Sequence, residues 1–284
     1  MRSDDFNFLS RLLKECSGLT LGEDKGYLLE NRLVPIARQR AFKNLDELIA
    51  AVRANRFGDA ARDVVDAMTT NESFFFRDKR PFDQFATIVL PHILNTRTAS
   101  RYLRIWSAAC SNGQEPYTIA MILRENATWL SGWRCEILAT DLSRQVLAKA
   151  RAGIYSQFEV QRGLPISLLL KYFRQDGERW HIDSALRAMV QFREFNLLDD
   201  PCALGTFDVV FCRNVLIYFD QATKSDVLQR IRRVMTDDGF LYLGGAETVL
   251  GITDRFHPIS GERGIYGAAP YLPIDTSPLR AAAV

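Results

Sequence analysis

Hydrophobic residues follow a helical period in the first part of the chain. Residues 1 to about 70 contain several helical patterns and no convincing strand. In the stretch from Asp5 to Cys16, four large apolar side chains fall on one side of the predicted helix. A second helix is predicted from about Lys25 to Ala41, and Pro35 in its middle is expected to kink the axis or restart the helix. This part of the chain is therefore predicted to be a small all-α domain.

From Tyr102 onward, apolar runs of strand length alternate with helical patterns. The predicted strands are Leu103–Ala109, Glu136–Thr140, Phe207–Cys212 and Phe240–Gly244. The predicted helices are Tyr117–Asn126, opened by Pro116 at the first helical position, Ser143–Arg151 and Thr223–Met235. Such alternation is typical of an α/β fold with a doubly wound, mainly parallel sheet.

The segment from about 158 to 192 interrupts this alternation and is interpreted as a β insertion. Within it, Trp180–Ile182 and Ala188–Phe192 are expected to pair as a small antiparallel ribbon. The resulting division is an all-helical domain at 1–70, a linker at 71–90, a sheet domain at 91–267 and a tail at 268–284. The tail is rich in Pro and Ala and has little to bury, so we expect it to be mobile.

Composition and charge narrow the class of protein. With 47% hydrophobic and 25% charged residues over 284 positions, the chain can bury one large core or two smaller ones. A net charge of +2 argues against a nucleic-acid binder, which usually carries a stronger basic excess. The amino terminus lacks an apolar signal segment, and no stretch approaches the roughly 20 apolar residues of a membrane span. We therefore expect a cytoplasmic protein with no membrane insertion.

Cysteine and histidine, which often bind metals, show no spacing typical of a metal site. The five cysteines form no CxxC pair and show no zinc-ligand spacing. The three histidines are scattered along the chain. No metal site is expected.

Polar residues stand where the buried strand Phe207–Cys212 ends. Arg213 and Asn214 follow it directly, and Tyr218 comes shortly afterwards. Ligands of open α/β sheets bind in the crevice outside the carboxyl ends of the strands, which makes these three residues candidates for a site. The alternative is a strand end capped by polar groups that have no ligand.

The loop from Ser107 to Pro116 occupies the position of a nucleotide-binding turn. Its small residues would let a ligand approach the backbone, but no Lys-Ser or Lys-Thr pair follows to grip a triphosphate. Glu115 would repel a pyrophosphate and attract an ammonium or sulfonium group. Asp141, at the end of the next strand, is placed to bind ribose hydroxyls or, alternatively, to cap the helix that starts near Ser143. A cation and a ribose bound together are typical of S-adenosylmethionine.

Four segments, in order and spacing, resemble the chemotaxis receptor methyltransferases (CheR). They are Asn71–Asp78, Trp106–Tyr117, Ala139–Leu142 and Phe211–Asp220. With the helical amino-terminal part, the resemblance covers nearly the whole chain. It implies S-adenosylmethionine-dependent methylation of glutamate side chains on the cytoplasmic helices of chemoreceptors. The products would be a glutamyl methyl ester and S-adenosylhomocysteine.

The resemblance also implies residue roles. The cofactor site would comprise Asn71, Ser73 and Arg77 from the linker, Glu115 for the methionine end, Asp141 for the ribose, Asn196 and Leu197 for the adenine, and Arg213 and Asn214. Arg77 and Tyr218 would flank the methyl group as catalytic residues. Ser73 stands where many relatives have Thr. Arg32 and Arg38 would contact the receptor, although Pro35 and Ile36 occupy positions that are often Arg in relatives.

The charge pattern agrees with an acidic partner but leaves alternatives open. Six basic and two acidic residues lie between Arg32 and Arg56, a pattern that suits an acidic partner or a solvated helix face.

A methyltransferase of the same fold acting on another protein or a small molecule is one alternative to the function that the resemblance implies. A non-catalytic S-adenosylmethionine sensor is another, disfavoured because Arg77, Glu115, Asp141 and Tyr218 are all present. A monomer is the default expectation.

The insertion bears on how the receptor is reached. In some relatives this ribbon docks a peptide at the receptor's carboxyl terminus by strand addition. The turn region Arg174–Arg179 looks shorter here, which favours a protein that does not require the tethering peptide.

Overall fold

Helices alone occupy the first part of the chain in the computed structural model, which describes residues 1–268. The four α-helices before residue 70 are α1 (Ser3–Ser17), α2 (Gly26–Gln39), α3 (Leu45–Ala54) and α4 (Asp59–Met68). Their apolar faces enclose a separate core, whose fully buried side chains include Leu9, Leu33, Val52 and Val64. The predicted all-α region is thereby confirmed. After Ala268, the tail predicted to be mobile lies outside the described residues.

Pro35 lies inside α2, and the helix continues past it to Gln39. Of the two predicted effects, a kink or a restart, the restart does not occur. An interior proline leaves the carbonyl four residues earlier without its helical donor. That carbonyl belongs to Asn31, and both Asn31 and Pro35 are exposed, so water can satisfy it.

A mainly parallel sheet follows, as predicted. The strands are β1 (Tyr102–Ala108), β2 (Arg134–Asp141), β3 (Ile154–Ser156), β4 (Phe173–Asp176), β5 (Arg179–Ile182), β6 (Val190–Glu194), β7 (Phe207–Cys212), β8 (Met235–Tyr242), β9 (His257–Pro258) and β10 (Ile265–Gly267). Seven of them form the main sheet in the order β6-β2-β1-β7-β8-β10-β9. β6, β2, β1, β7 and β8 run parallel, whereas β10 runs antiparallel to β8 and β9 antiparallel to β10.

The remaining helices lie before and between these strands. They are α5 (Arg80–Gln84), α6 (Leu90–Thr96), α7 (Gln114–Glu125), α8 (Arg144–Ala152), α9 (Gln157–Gln161), α10 (Ile166–Tyr172), α11 (Ser184–Ala188) and α12 (Gln221–Arg233). A π-helical stretch, Phe85–Val89, joins α5 to α6. No helix within residues 1–268 is both long and apolar enough to cross a membrane.

The sheet brings three loops together at one edge. Ala108 at the end of β1 is in register with Thr140 of β2 on one side and with Cys212 of β7 on the other. The order of the strands along the chain reverses at β1, which is the switch point where open α/β sheets bind ligands. The loops that carry Glu115, Asp141 and Arg213 therefore leave the sheet side by side.

The predicted antiparallel ribbon has a different partner. β5 pairs with β4 and β3 in a separate three-stranded antiparallel sheet, and Gly177 and Glu178 form the turn between β4 and β5. The segment expected to pair with Trp180–Ile182 was Ala188–Phe192. Its last three residues belong instead to β6, which pairs in parallel with β2 at the edge of the main sheet. The intervening α11 returns the chain to the main sheet, where Val190 joins the large core.

Two predicted boundaries also shift. α7 begins at Gln114 after Gly113, which adopts the left-handed conformation, so Pro116 is not the first helical residue. β8 begins at Met235, five residues before the predicted start. The first residues of β8, which include Asp237, are mostly polar, so the hydrophobic pattern does not indicate that the strand begins there.

The linker is held to the sheet region by aromatic packing. Phe75 is fully buried, and its ring centroid lies 5.1 Å from that of Tyr155 and 5.5 Å from that of Phe173, both edge-on. Such edge-to-face pairs add stability beyond the apolar area they bury. The ring of Phe74 is covered by the guanidinium of Arg162, whose Cζ lies 4.3 Å from the centroid. The linker and the small sheet are thus packed against each other.

Candidate active site

A pocket opens at the carboxyl ends of β1, β2 and β7. All nine residues predicted to bind the cofactor line it, together with Tyr218. Its other lining residues are Ser17, Leu19, Thr69, Thr70, Glu72, Ala109, Cys110, Ser111, Leu142, Phe195, Val215 and Phe219. The pocket therefore combines carboxylates, amides and apolar side chains, as polar nucleoside sites do.

The side chains of Glu115 and Arg213 form a buried ion pair on one wall. Arg213 Nη1 donates to Glu115 Oε2 at 2.9 Å, and the two side chains are 2% and 12% exposed. The other carboxylate oxygen accepts a hydrogen bond from Ser107 Oγ at 2.8 Å. Arg213 Nη2 donates to Asp78 Oδ2 and to the Arg77 carbonyl, both at 2.8 Å. These contacts fix Glu115 in the pocket wall and direct the Arg213 guanidinium toward protein groups.

Asp141, at the carboxyl end of the neighbouring strand β2, holds two loops. Its Oδ2 accepts the backbone N–H of Ser111 at 2.8 Å, and its Oδ1 accepts that of Ser143 at 2.9 Å. Burial raises the pKa of Asp141, while the backbone donors of Ser143, Ser111 and Leu142 act in the opposite direction. A carboxylate has about four lone-pair positions, so acceptor capacity remains for a ligand hydroxyl. Asp141 thus bonds to the N–H of Ser143, the residue before α8, and keeps acceptor capacity toward the pocket.

The linker is bound to the loop after β1. The carbonyl of Asn71 accepts from Ser111 Oγ at 2.8 Å, and Asn71 Nδ2 donates to Thr69 Oγ1 at 3.0 Å. Ser73 and Arg77 follow along the same wall. Arg77 Nη1 donates to the carbonyl of Glu72 at 2.7 Å.

The helical region also contributes to the pocket, which the sequence did not indicate. Ser17 and Leu19, at and after the end of α1, line it. Asn196 Nδ2 donates to the Cys16 carbonyl at 2.7 Å, and Asn196 Oδ1 accepts the Leu198 N–H at 3.1 Å. The amide side chain predicted to meet the adenine thus joins α1 to the sheet domain. Gly18, Gly22 and Gly26 indicated breaks in this part of the chain but not what the segment contacts.

Tyr218 lies in a short 3₁₀ turn, Leu216–Tyr218, that also contacts the α1 end. Its carbonyl accepts the N–H of Thr20 at 2.9 Å. Two residues later, Asp220 pairs with Lys14 at 2.6 Å. The hydrogen bond from Lys14 and those from Thr223 lower the pKa of Asp220. The segment that carries Tyr218 is therefore attached to the amino-terminal helices.

Arg32 and Arg38 lie away from the pocket lining. Arg32 Nη1 donates to the carbonyls of Met68 and Thr69, each at 2.9 Å. These carbonyls stand at the end of α4, where helix acceptors need outside donors. Arg38 is exposed on α2. Of the two arginines predicted to contact a receptor, Arg32 therefore already forms hydrogen bonds within the chain, whereas Arg38 is exposed to solvent.

Two family models match consecutive parts of the chain. The model described as "CheR methyltransferase, all-alpha domain" matches residues 4–69, and "CheR methyltransferase, SAM binding domain" matches residues 71–265. Together they span most of the described residues.

Curated relatives match over most of their own length. Chemotaxis protein methyltransferase Cher2 of Pseudomonas putida is 41% identical over 92% of this chain and 96% of the relative. Chemotaxis protein methyltransferase 1 of Pseudomonas aeruginosa is 42% identical, with the same two coverages. The chemotaxis protein methyltransferase of Escherichia coli is 32% identical over 88% of this chain and 86% of the relative. Among solved structures, a TehB-like SAM-dependent methyltransferase of Corynebacterium glutamicum is 16% identical, covers 63% of this chain and 84% of its own, and has a TM-score of 0.35.

Proposed function

Because the chain belongs to the CheR methyltransferase family, we propose that it methylates glutamate side chains on the cytoplasmic helices of bacterial chemoreceptors. It is a methyltransferase of chemotaxis, and its methyl donor is S-adenosylmethionine. The observation that carries the finer proposal is the shared pocket, in which Glu115, Asp141 and Tyr218 meet at the ends of adjacent strands. The reaction would leave a glutamyl methyl ester.

The residues of the pocket suit this donor. Glu115 presents a carboxylate to the ammonium of the methionine end, and Asp141 presents acceptors to the ribose hydroxyls. Leu142, Leu197 and Phe195 supply apolar surface for a purine. When bound, S-adenosylmethionine supplies an electrophilic methyl group on a positively charged sulfur.

The substrate side of the reaction needs alignment rather than a strong base. A glutamate side chain has an unperturbed pKa of about 4.3, so it is already ionised at neutral pH. Holding the reacting groups in line can contribute up to roughly 7–11 kcal/mol in the best intramolecular cases. We assign Arg77 to orient the incoming carboxylate through a charge-assisted hydrogen bond, and Tyr218 to fix its other oxygen. Too tight a pair with Arg77 would lower the nucleophilicity of the carboxylate.

The receptor would approach α2. Arg38 is exposed there and offers a cation to an acidic receptor helix. Arg32, which donates to the end of α4, would act by holding α2 against the residues that lead into the linker. We therefore propose that Arg38 contacts the receptor directly, whereas Arg32 acts mainly by holding α2 in position.

The small antiparallel sheet would not be needed for recruitment. Its β4 and β5 are four residues each and are joined by a two-residue turn, which leaves a short edge for an added strand. Titration of receptor carboxyl-terminal peptides into the protein should show no micromolar binding. Micromolar affinity would overturn this part of the proposal.

Transfer of a tritiated methyl group separates the proposed function from its alternatives. The protein is incubated with labelled S-adenosylmethionine and purified chemoreceptor cytoplasmic fragments, and the labelled product is then treated with mild alkali. Label that alkali releases as methanol supports a carboxyl methyl ester. Alkali-stable label would indicate another acceptor, and cofactor binding without any transfer would indicate a sensor.

A further inference from the structure

Glu247 has no part in the pocket lining, yet its carboxylate binds the loop that follows β7. Oε2 accepts the backbone N–H groups of Asn214 at 2.7 Å and Gly244 at 2.6 Å. Oε1 accepts those of Val215 at 2.9 Å and Ile217 at 3.2 Å. One side chain therefore satisfies four backbone donors, three of them in the segment that leads to Tyr218.

This loop needs such support because of its backbone. Asn214 has a φ of +58°, in the left-handed region that non-glycine residues rarely occupy without help from their surroundings. Gly244 allows the close approach. A Cβ at position 244 would lie 2.6 Å from Nδ2 of Asn214 and 2.7 Å from Oε2 of Glu247. The end of β8 and the loop are thus fitted to each other around one carboxylate.

Arg213 is held in a different way. Its guanidinium is fixed by Glu115, Asp78 and the Arg77 carbonyl, and none of these contacts involves Glu247. Loss of Glu247 should therefore leave Glu115 and Arg213 in place, and Asn214 is the one residue predicted to bind the cofactor whose backbone it would release. The loss of Glu247 should mainly disturb the position of the 3₁₀ turn that carries Tyr218.

We propose that Glu247 is a positioning residue for methyl transfer, which holds the 214–217 backbone so that Tyr218 faces the pocket. The inference rests on the proposed function, because it takes Tyr218 as the residue that meets the substrate carboxylate. Glu247 lies outside the pocket lining and touches neither substrate nor cofactor. It acts through the loop.

The variant Glu247→Gln keeps the side-chain shape and replaces one acceptor oxygen with an NH₂ group. Wherever that group lies, it faces two backbone N–H donors and disrupts their hydrogen bonds. At saturating receptor fragment and cofactor we expect kcat to fall about 10-fold or more, as loss of charge-assisted hydrogen bonds does. We expect the Kd for S-adenosylhomocysteine, measured by calorimetry, to change less than about 3-fold, because Arg213 and Glu115 keep their contacts. Glu262→Gln is the control, since Glu262 accepts from Arg80 and Gln84 outside the pocket.

A double-mutant cycle distinguishes positioning from general stability. If Glu247 acts through Tyr218, then Glu247→Gln should cost less than about 3-fold in kcat when Tyr218→Phe is already present. The proposal would be overturned if Glu247→Gln lowered kcat equally with and without Tyr218→Phe. It would also be overturned if this variant lost cofactor affinity in parallel with kcat, or if its turnover were unchanged. If Glu247→Gln does not fold, Gly244→Ala disturbs the same contacts while keeping the carboxylate, and the same cycle applies. Absence of methyl transfer by the unmodified protein would instead refute the proposed function, and this inference with it.

Discussion

Nη1 of Arg213 lies 2.9 Å from Oε2 of Glu115 and joins the exit of β7 to the first turn of α7. The pair is nearly buried, so each charge depends on its partner and on the hydrogen bonds from Ser107 and to Asp78. We propose that a carboxylate fixed in this way beside the strand ends receives the ammonium of the methyl donor. Preorganisation of this kind lowers the cost of binding.

Replacement of Glu115 by Gln tests the cofactor role of that carboxylate. The change keeps the side-chain shape but removes the charge that would meet the ammonium of the methionine end. We expect S-adenosylmethionine affinity to fall about 10- to 100-fold, the loss typical of hydrogen bonds to charged groups. Isothermal titration calorimetry measures it, and Glu262→Gln is the matched control outside the pocket. Equal affinities in the two variants would refute the assignment.

Arg77→Ala and Tyr218→Phe test the two residues assigned to the substrate. Both should lower turnover more than cofactor affinity, because their roles concern the incoming carboxylate. Steady-state kinetics on receptor fragments, paired with calorimetry, separates the two effects. Tyr102→Phe removes a hydroxyl that bonds to Glu136 in the neighbouring strand β2 and controls for hydroxyl loss. Abolished cofactor binding in Tyr218→Phe would contradict its role.

Gly18→Ala tests the contact between the end of α1 and the segment after Tyr218. Gly18 has a φ of +77°, and a Cβ there would lie 3.0 Å from the ring of Phe219. Gly261 has a φ of +76° with nothing within 4 Å of its Cβ position, so Gly261→Ala is the control. Both variants should lose about 1–2 kcal/mol of unfolding free energy from backbone strain.

Turnover should distinguish these two glycine variants. Only Gly18→Ala should lower kcat, because the added methyl pushes on the residue next to Tyr218. Urea unfolding gives the stability change, and initial rates at saturating cofactor give the turnover. Equal turnover in the two variants would show that the α1 contact has no bearing on the site.

Asp66 gives the protein a defined pH dependence. Burial raises the pKa of Asp66 from its usual 3.8 to about 6, with nearby carboxylates adding to the effect. A raised folded-state pKa means that the protein keeps its full stability below the unfolded pKa and loses part of it as pH rises through 6. The rise in pKa from 3.8 to about 6 would correspond to a loss of about 3 kcal/mol, and solvent screening at this partly buried site reduces it to about 1 kcal/mol.

The variant Asp66→Asn should therefore stabilise the protein by about 1 kcal/mol near pH 8 and by almost nothing near pH 4. Urea unfolding at the two pH values measures the difference. Asp226→Asn, at an exposed position of α12, is the comparison. A gain for Asp66→Asn that is equal at both pH values would contradict the burial argument.

The sequence predicted those parts of the site that follow from strand ends. Glu115, Asp141 and Arg213 could be placed because a buried apolar run followed by a polar residue marks the carboxyl edge of a parallel sheet. The linker residues Asn71 and Arg77 came from motif resemblance instead.

Features set by contacts between distant segments could not be read from local patterns. The hydrogen bond from Asn196 to Cys16, the four donors around Glu247 and the engagement of Arg32 with α4 all depend on how separate elements meet. The segment Ala188–Phe192 was assigned to the wrong partner for a related reason. A short apolar run indicates a strand, but it does not indicate which strand will lie beside it.

The proposed function requires this protein to form methyl esters on chemoreceptor glutamates. Tandem mass spectrometry of a receptor cytoplasmic fragment, incubated with the protein and S-adenosylmethionine, locates any methyl group that is added. We predict one added methyl group on glutamate side chains of the receptor helices, absent without the cofactor and strongly reduced with Tyr218→Phe. Methyl groups found on lysine, arginine or an amino terminus, or a receptor left unmodified by a protein that binds the cofactor, would contradict it.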